Sequence, residues 1–469
     1  MSPSSQSTSR LDWQLAVAAT AVLVAAVLAV VSLARDGISD SGSAPGVNTQ
    51  ELAALVPANA LVFVHVSLDK RRPVVGDLAA VAERFPSYVS TRDKLVDQLA
   101  SPDCKRATDA LAQADDAALA LYESSEGSGL SLLLIDRPEG PAQTKPAKCG
   151  ALLAADIGDY LAIGQTEAIA DARRLAAGTG KSLANTGTSS GQLARLPGDR
   201  VLDGWISVDG VRRLLAPRGG AYGLVGAAVD QPGLRGLAFS VSPSDSGADI
   251  ALRSSVKRTT SDAKVTEADA DELLSGTSDD AIAAFVVPRL SGSLSRLGGA
   301  SAAGVGLLSS LPKDVAALFD RPTAISLLDG QAVPVLVAVT TTEDEAKAKR
   351  ALAAMPADLR KQLFSRVQDG KLVLATRKAA VSKVFAAQGS KLTSSDPWGK
   401  TIGRAEVADG GSLLFLNFTK LLALAERTGL GEDASYRAVR QDLARLQAAG
   451  ARTSPGSNES SVDLSLLIP

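Results

Sequence analysis

The sequence predicts an α+β protein: an N-terminal transmembrane helix followed by two tandem, duplicated units of antiparallel sheet with helices packed on one face. Three observations carry this expectation. Residues 15–33 form an uncharged apolar run, and the rest of the chain repeats itself at local offsets of 206 to 221 residues. Within each copy the apolar, alternating stretches follow one another through tight turns, the pattern of hairpins rather than of parallel crossovers.

The first element is Leu15–Leu33, LAVAATAVLVAAVLAVVSL, nineteen residues closed by Arg10 and Asp12 on one side and by Arg35 and Asp36 on the other. A bilayer span needs about 20 such residues. A helix that is apolar all round must be buried somewhere, and the polar linker that follows offers it no neighbour. Residues 1–14 are a short tail, 15–33 a signal-anchor that places the chain in the lipid bilayer, and 34–46 a flexible linker rich in Gly, Ser and Asp. The run exceeds the ~7–15 residues of a cleavable signal, so a retained anchor is expected. Ser32-Leu33-Ala34 offers the small-x-small pattern for cleavage after Ala34 as the alternative. The flanking charges nearly balance, so orientation rests on layout. A short polar tail, one span and a large C-terminal body fit a single-pass protein of the cell membrane whose body is extracytoplasmic.

The body reads as two related units, 47–258 and 259–469. AALVPANALVFVHV after Glu51-Leu52 lines up with LSGTSDDAIAAFVV after Glu272-Leu273, both a helix end, a polar turn and a strand. ADDAALALY at 114–122 parallels FDRPTAISLL at 319–328, and each continues into a second strand, GLSLLLI at 129–135 and VPVLVAV at 333–339. In the second copy Asp329-Gly330 reads as a two-residue hairpin turn. ADIGDYLAIGQTEAIADARRLAAG at 155–178 parallels VQDGKLVLATRKAAVSKVFAAQG at 367–389, a strand then a helix with apolar spacing at Ile169, Ala172, Leu175 and at Val381, Val384, Phe385. WISVDGVRRLL at 205–215 parallels LLFLNFTKLLAL at 413–424, with Asp209 and Asn417 expected to cap the following helices. IALRSSV at 250–256 and VDLSLLI at 462–468 close the copies.

The copies differ after the second hairpin. TTEDEAKAKRALAAM at 341–355 is a strong helix with acids first and bases later. DRPEGPAQTKPAK at 136–148 cannot be one, because Pro138, Pro141 and Pro146 forbid it. Cys104 and Cys149 flank this region in the first copy only. A disulfide between them is expected to substitute for the missing packing, with two buried free thiols as the alternative.

Composition narrows the chemistry. One His and two Cys among 469 residues, with no CxxC or HExxH, leave no ordinary zinc site and no expected metal or cofactor. Lys+Arg 49 against Asp+Glu 51 gives no basic field for nucleic acid. The only histidine, His65, lies in LVFVHVSLD, facing one way with Leu61, Phe63 and Ser67, and its counterpart at offset 221 is Val286, so it reads as a core residue. No G-x-S-x-G elbow is present. GTGKS at 178–182 resembles the end of a phosphate loop, but Leu175 stands where the first Gly belongs, and a helix C-cap is the better account. The acids Asp115-Asp116, Asp279-Asp280 and Glu343-Asp344-Glu345, and the bases Lys70-Arg71-Arg72, read as solvated groups at element ends, the bases within reach of anionic head groups if the body lies near a membrane. No catalytic residue is assigned, and an enzyme is not expected.

An anchor, a spacer, then LVPANALVFVHVSLD and a helix running to Phe85-Pro86 together resemble the bacterial family called domain of unknown function 3352. Leu55-Val56-Pro57-Ala58-Asn59-Ala60 departs from that family's opening by the inserted Val56 and by Asn59 in place of an acid. The resemblance covers nearly all of 47–469 and implies a bacterial, membrane-anchored protein; it transfers no activity and no site residues. The expected role is a non-enzymatic binding or structural component of the cell envelope, with an envelope protein or a lipid as partner. The alternatives are a tethered carrier of a lipid or other apolar ligand and a regulator of a membrane or secretion partner.

Overall fold

The computed structural model describes residues 49–88, 104–124, 126–137, 145–210, 234–256, 265–290, 310–330, 333–386, 390–403, 411–432, 434–455 and 459–469. The expected anchor, 15–33, lies outside them, and among the described residues no helix is long and apolar enough to cross a membrane. The chain divides into two compact units, Met1–Val256 and Lys257–Pro469.

The first unit contains strands β1 (Val62–Ser67), β2 (Asp116–Glu123), β3 (Gly129–Asp136), β4 (Ala147–Cys149), β5 (Leu152–Ile157), β6 (Tyr160–Gly164), β7 (Leu202–Ile206), β8 (Leu234–Ser244) and β9 (Gly247–Val256). They pair antiparallel throughout, in the order β4-β5-β6-β3-β2-β1-β7-β8-β9. The central strand β1, VFVHVS, is buried at every position. A strand that is apolar on both sides needs cover on both, and the helices supply it. On the side of Phe63, helices α1 (Thr49–Ala54), α4 (Thr166–Ala176) and α5 (Gly187–Leu193) contribute Leu52, Ala168, Ile169 and Leu193 to a cluster with Leu132, Leu134 and Ala162. On the side of Val66, helices α2 (Pro73–Ala82) and α3 (Lys105–Gln113) contribute Leu78, Ala107 and Leu111 to a cluster with Ala117, Ile135 and Leu161. The helices therefore flank both faces of the sheet, which corrects the expectation of one covered face.

The second unit has strands β10 (Ala281–Val287), β11 (Thr323–Leu328), β12 (Val335–Thr341), β13 (Phe364–Gln368), β14 (Lys371–Ala375), β15 (Leu413–Asn417), β16 (Ala448–Pro455) and β17 (Glu459–Leu467). Their order, again antiparallel, is β13-β14-β12-β11-β10-β15-β16-β17. This is the order of the first unit with β4 left out. Its helices are α6 (Glu267–Leu274), α7 (Lys313–Ala316), α8 (Glu345–Ala353), α9 (Ala357–Gln362), α10 (Lys378–Ala386), α11 (Asp396–Thr401), α12 (Phe418–Arg427) and α13 (Ala434–Leu443). Leu273, Val381 and Trp398 pack on one face against Val286, Val337 and Val373. Val315, Ala348 and Leu352 pack on the other against Val287, Leu336 and Leu372.

Local chemistry accounts for the element ends. Gly178, at φ 74°, closes α4: its N–H reaches the Leu175 carbonyl and the Thr179 N–H reaches that of Arg174, the paired bonds of a glycine C-cap. Asp344 caps α8 by accepting from the Lys347 N–H at 2.8 Å. Asn417 caps α12 by accepting from the Lys420 N–H at 3.1 Å. At the corresponding place in the first unit Ser207, not Asp209, accepts from the Gly210 N–H at 3.0 Å, because β7 ends at Ile206 and the cap falls two residues earlier than the pattern implied. Asp329-Gly330 does not form a two-residue hairpin either. Leu328 pairs with Val335, so the connection runs over 329–334, and Asp329 is drawn into an ion pair with Arg427 at 2.8 Å. The two-residue turn is instead Asp369-Gly370, with φ 51° and 70°, between the paired residues Gln368 and Lys371.

Cys104, the residue before α3, and Cys149, the last of β4, form a disulfide with a Cα–Cα distance of 4.5 Å. It fastens the outermost strand of the first unit to a helix of the same unit. The second unit has neither cysteine, and among its described residues no counterpart of that strand.

Candidate functional site

Polar groups do not belong in a strand buried on both sides, so His65 needs an account. It lies in β1, fully buried, opposite Ala118 of β2 and Asp203 of β7. Residues paired across a sheet share a face, as do those two apart along a strand. His65, Asp203, Asp116, Asp136 and Tyr160 therefore lie on one face, at one end of the cluster around Phe63. His65 Nδ1 is 2.7 Å from Asp203 Oδ1 and its Nε2 is 2.9 Å from Asp116 Oδ1. A carboxylate only accepts, so both ring nitrogens carry protons and the imidazole is a cation. Burial acts to lower its pKa, but the hydrogen bonds and charges of Asp116 and Asp203 outweigh burial and hold it up at about 9.

The cluster extends outward from this pair. Thr49, at the start of α1, donates to Asp203 Oδ1 at 3.1 Å, and Arg200 Nε lies 3.4 Å from the same oxygen. Asp203 Oδ2 is buried and has no hydrogen-bond partner among the described residues. The Asp116 N–H donates to Asp136 Oδ2 at 2.8 Å. At the rim, Arg71 Nε is 2.7 Å from Asp69 Oδ1 and its Nη2 is 2.7 Å from Asp115 Oδ2. Two expectations are corrected here. Asp116 is a buried partner of His65 rather than a solvated acid. In Lys70-Arg71-Arg72, Arg71 is ion-paired, and Arg72 is buried with its guanidinium donating to the Arg200 carbonyl.

Asp136 is pushed up to about 6, first by burial and then by the charge of Asp116, against the pull of its hydrogen bond. A carboxyl raised in the folded state favours folding when protonated. That contribution is complete below pH ~4 and is lost as pH rises through about 6. Asp136→Asn, which keeps an acceptor for the Asp116 N–H, is accordingly expected to stabilise the protein by roughly 1–3 kcal/mol at pH 7.5 and by almost nothing at about pH 3. Denaturant melts at the two pH values check this; an equal effect at both would show that ionisation of Asp136 carries no cost.

Among the described residues, the second unit has no such cluster. The strand registers make Val286 equivalent to His65, Leu413 to Asp203, Pro322 to Asp116 and Thr341 to Asp136. One fold position is thus filled by an ion cluster in one unit and by uncharged, mostly apolar side chains in the other. Both ring nitrogens of His65 are engaged by carboxylates, and the ring is fully buried. What the arrangement does is lock β1, β2 and β7 together and couple their packing to pH.

The remaining candidates stay apart from this cluster. GTGKS forms the glycine C-cap of α4 and the turn beyond it, and the acids at 343–345 begin α8. Among the described residues no group of three or more His, Cys, Asp or Glu is placed to hold a metal ion. The one sequence signal of Asp203 is its place in VLDGWI, a charged residue inside an apolar strand.

No family model and no curated protein matches the chain. Among solved structures it is similar to crystal form I of TP0453, at 8% identity and TM-score 0.27, over 47% of this chain and 82% of that one. Crystal form III of TP0453 gives 8% identity and TM-score 0.25, over 47% and 84%. Likeness at that level is no guide to fold or activity.

Proposed function

We propose that the chain is a single-pass membrane protein, anchored through residues 15–33, whose two units stand outside the cytoplasm and act as a non-enzymatic binding or structural component of a bacterial cell envelope. The observation that carries this reading is the Cys104–Cys149 disulfide, because such bonds persist in oxidising compartments and are rare in the cytosol. The uncharged run before the linker supports the anchor, and the resemblance of 47–469 to domain of unknown function 3352 supports the bacterial envelope. The sealed environment of His65 supports a role other than catalysis.

Protease treatment of intact cells and of spheroplasts tests the topology. Loss of the body with survival of a short membrane-embedded N-terminal fragment is expected once the outer barrier is removed. Full protection until the membrane is dissolved would place the body in the cytoplasm and end the proposal.

A further inference from the structure

A sheet edge presents unpaired backbone N–H and C=O groups, and proteins usually cover or charge such an edge. The two units treat the same edge differently. In the first, β5 is covered by β4, with Ala147 opposite Ala154 and Cys149 opposite Leu152, and the disulfide holds the cover in place. In the second, β13 occupies the position of β5, and among the described residues it pairs with β14 alone. Counting back from the hairpin pairs Ile157/Tyr160 and Gln368/Lys371 makes Phe364 the equivalent of Leu153 and Ser365 that of Ala154. Phe364 is 36% exposed, an uncommon state for a phenylalanine in a strand, and Ser365 and Arg366 beside it are exposed as well.

A groove of about 370 Å³ runs along this edge. Leu352, Met355 and Leu363 give it an apolar lining, Lys349 and Arg360 give it positive charge, and among the described residues no carboxylate lines it; Phe364 and Arg366 border it from the opposite face of β13. Lys349 is paired with Glu345 at 2.8 Å, whereas neither arginine is in an ion pair among the described residues. Arg366 instead lies over the Phe385 ring, 4.9 Å from its centroid, which keeps its charge.

We propose that β13 is a strand-addition site: it takes an extended segment of a partner protein, antiparallel, in the place that β4 takes against β5, with acidic side chains of that segment meeting Arg360 on one face of the sheet or Arg366 on the other. Backbone hydrogen bonds supply the attachment and the charged groove selects the sequence, as in other edge-strand recognition. A second copy of this chain fits less well, since it brings the same positive rim to the contact. The proposal names the surface for the binding role put forward above and rests on that role.

Hydrogen exchange read by mass spectrometry on the full-length chain in detergent tests it. The probe is a capped octapeptide alternating valine and glutamate, with its valine–lysine counterpart as comparison. The glutamate peptide is expected to slow exchange severalfold at 363–368, the lysine peptide to leave it unchanged, and neither to affect 152–157. The double variant Arg360→Glu/Arg366→Glu is expected to reverse the preference. Unaltered exchange at 363–368 with the glutamate peptide, or equal protection by both peptides, would overturn the proposal using the unaltered chain alone. Protection that grows with protein concentration without peptide would replace it with self-pairing. None of these readings depends on the side of the membrane, so failure here and failure of the topology experiment remain distinct.

Discussion

His65→Val, which installs the residue of the equivalent position in the second unit, is expected to destabilise the first unit by about 3–5 kcal/mol. The cause is less the lost imidazole than what it leaves behind. Asp203, fully buried, and Asp116, nearly so, would face a dry interior without the cation between them. Asp203→Leu is expected to cost a similar amount by orphaning the imidazolium. The double variant, His65→Val/Asp203→Leu, should cost less than either single change, because it removes the cation together with its fully buried partner, leaving only the partly exposed Asp116, and copies an apolar packing that this fold already accommodates, Val286 beside Leu413. Residues acting as a unit show interaction energies of about 0.5–3 kcal/mol, and this pair is expected at the upper end. A denaturant double-mutant cycle measures it; single costs that add to the double would show that His65 and Asp203 do not act together.

The same pair sets a pH dependence of definite sign. The folded-state pKa of His65, about 9, lies above its ordinary value of 6.5. Its contribution is therefore complete below pH ~6.5 and is lost as pH rises through about 9, an effect on the order of 3 kcal/mol. Alkaline destabilisation of the unaltered protein between pH 7 and 10 should be larger than that of the double variant. Parallel profiles would mean that the imidazolium is not the titrating group.

Reduction of Cys104–Cys149 carries the other large expected effect. The bond spans a sequence separation of 45, for which loop entropy predicts a loss of about 4 kcal/mol if the unfolded chain behaves as a free coil. The loss should begin locally. β4 has three residues and pairs only with β5 among the described strands, so without the bond it has little to hold it. Faster amide exchange at 147–157 is expected under reductant before the rest of the unit responds. The denaturation midpoint with and without reductant, and of Cys104→Ala/Cys149→Ala, checks the magnitude. An unchanged midpoint would mean that the edge is held by other contacts.

Much of the fold was legible in the residues because its signals are local. VFVHVS and VLVAV are strands by β-branching and length, EAKAKRALA is a helix by its charge order, and the motif after Ala176 ends a helix because glycine tolerates positive φ. The misreadings share one origin. Asp329-Gly330 resembles a tight turn in isolation, yet Arg427, nearly a hundred residues later, holds Asp329 in a longer one. Asp209 looked like a cap until strand register handed that place to Ser207. One covered face was expected because apolar runs without alternation do not reveal how many partners they need.

The candidate site divides in the same way. That His65 belongs to a core followed from its strand and from the valine at the repeated position. That it is a cation between two aspartates did not follow, because Asp116 lies 51 residues away and Asp203 lies 138, and only the pairing of β2 and β7 with β1 brings them within hydrogen-bond distance. The sequence by itself determined the kinds of element, their repetition and the scarcity of reactive side chains, all of which depend on neighbours along the chain. Tertiary structure alone decided which charges are buried together and which edge a further strand covers, because burial and pairing depend on residues that are distant in sequence and adjacent only in space.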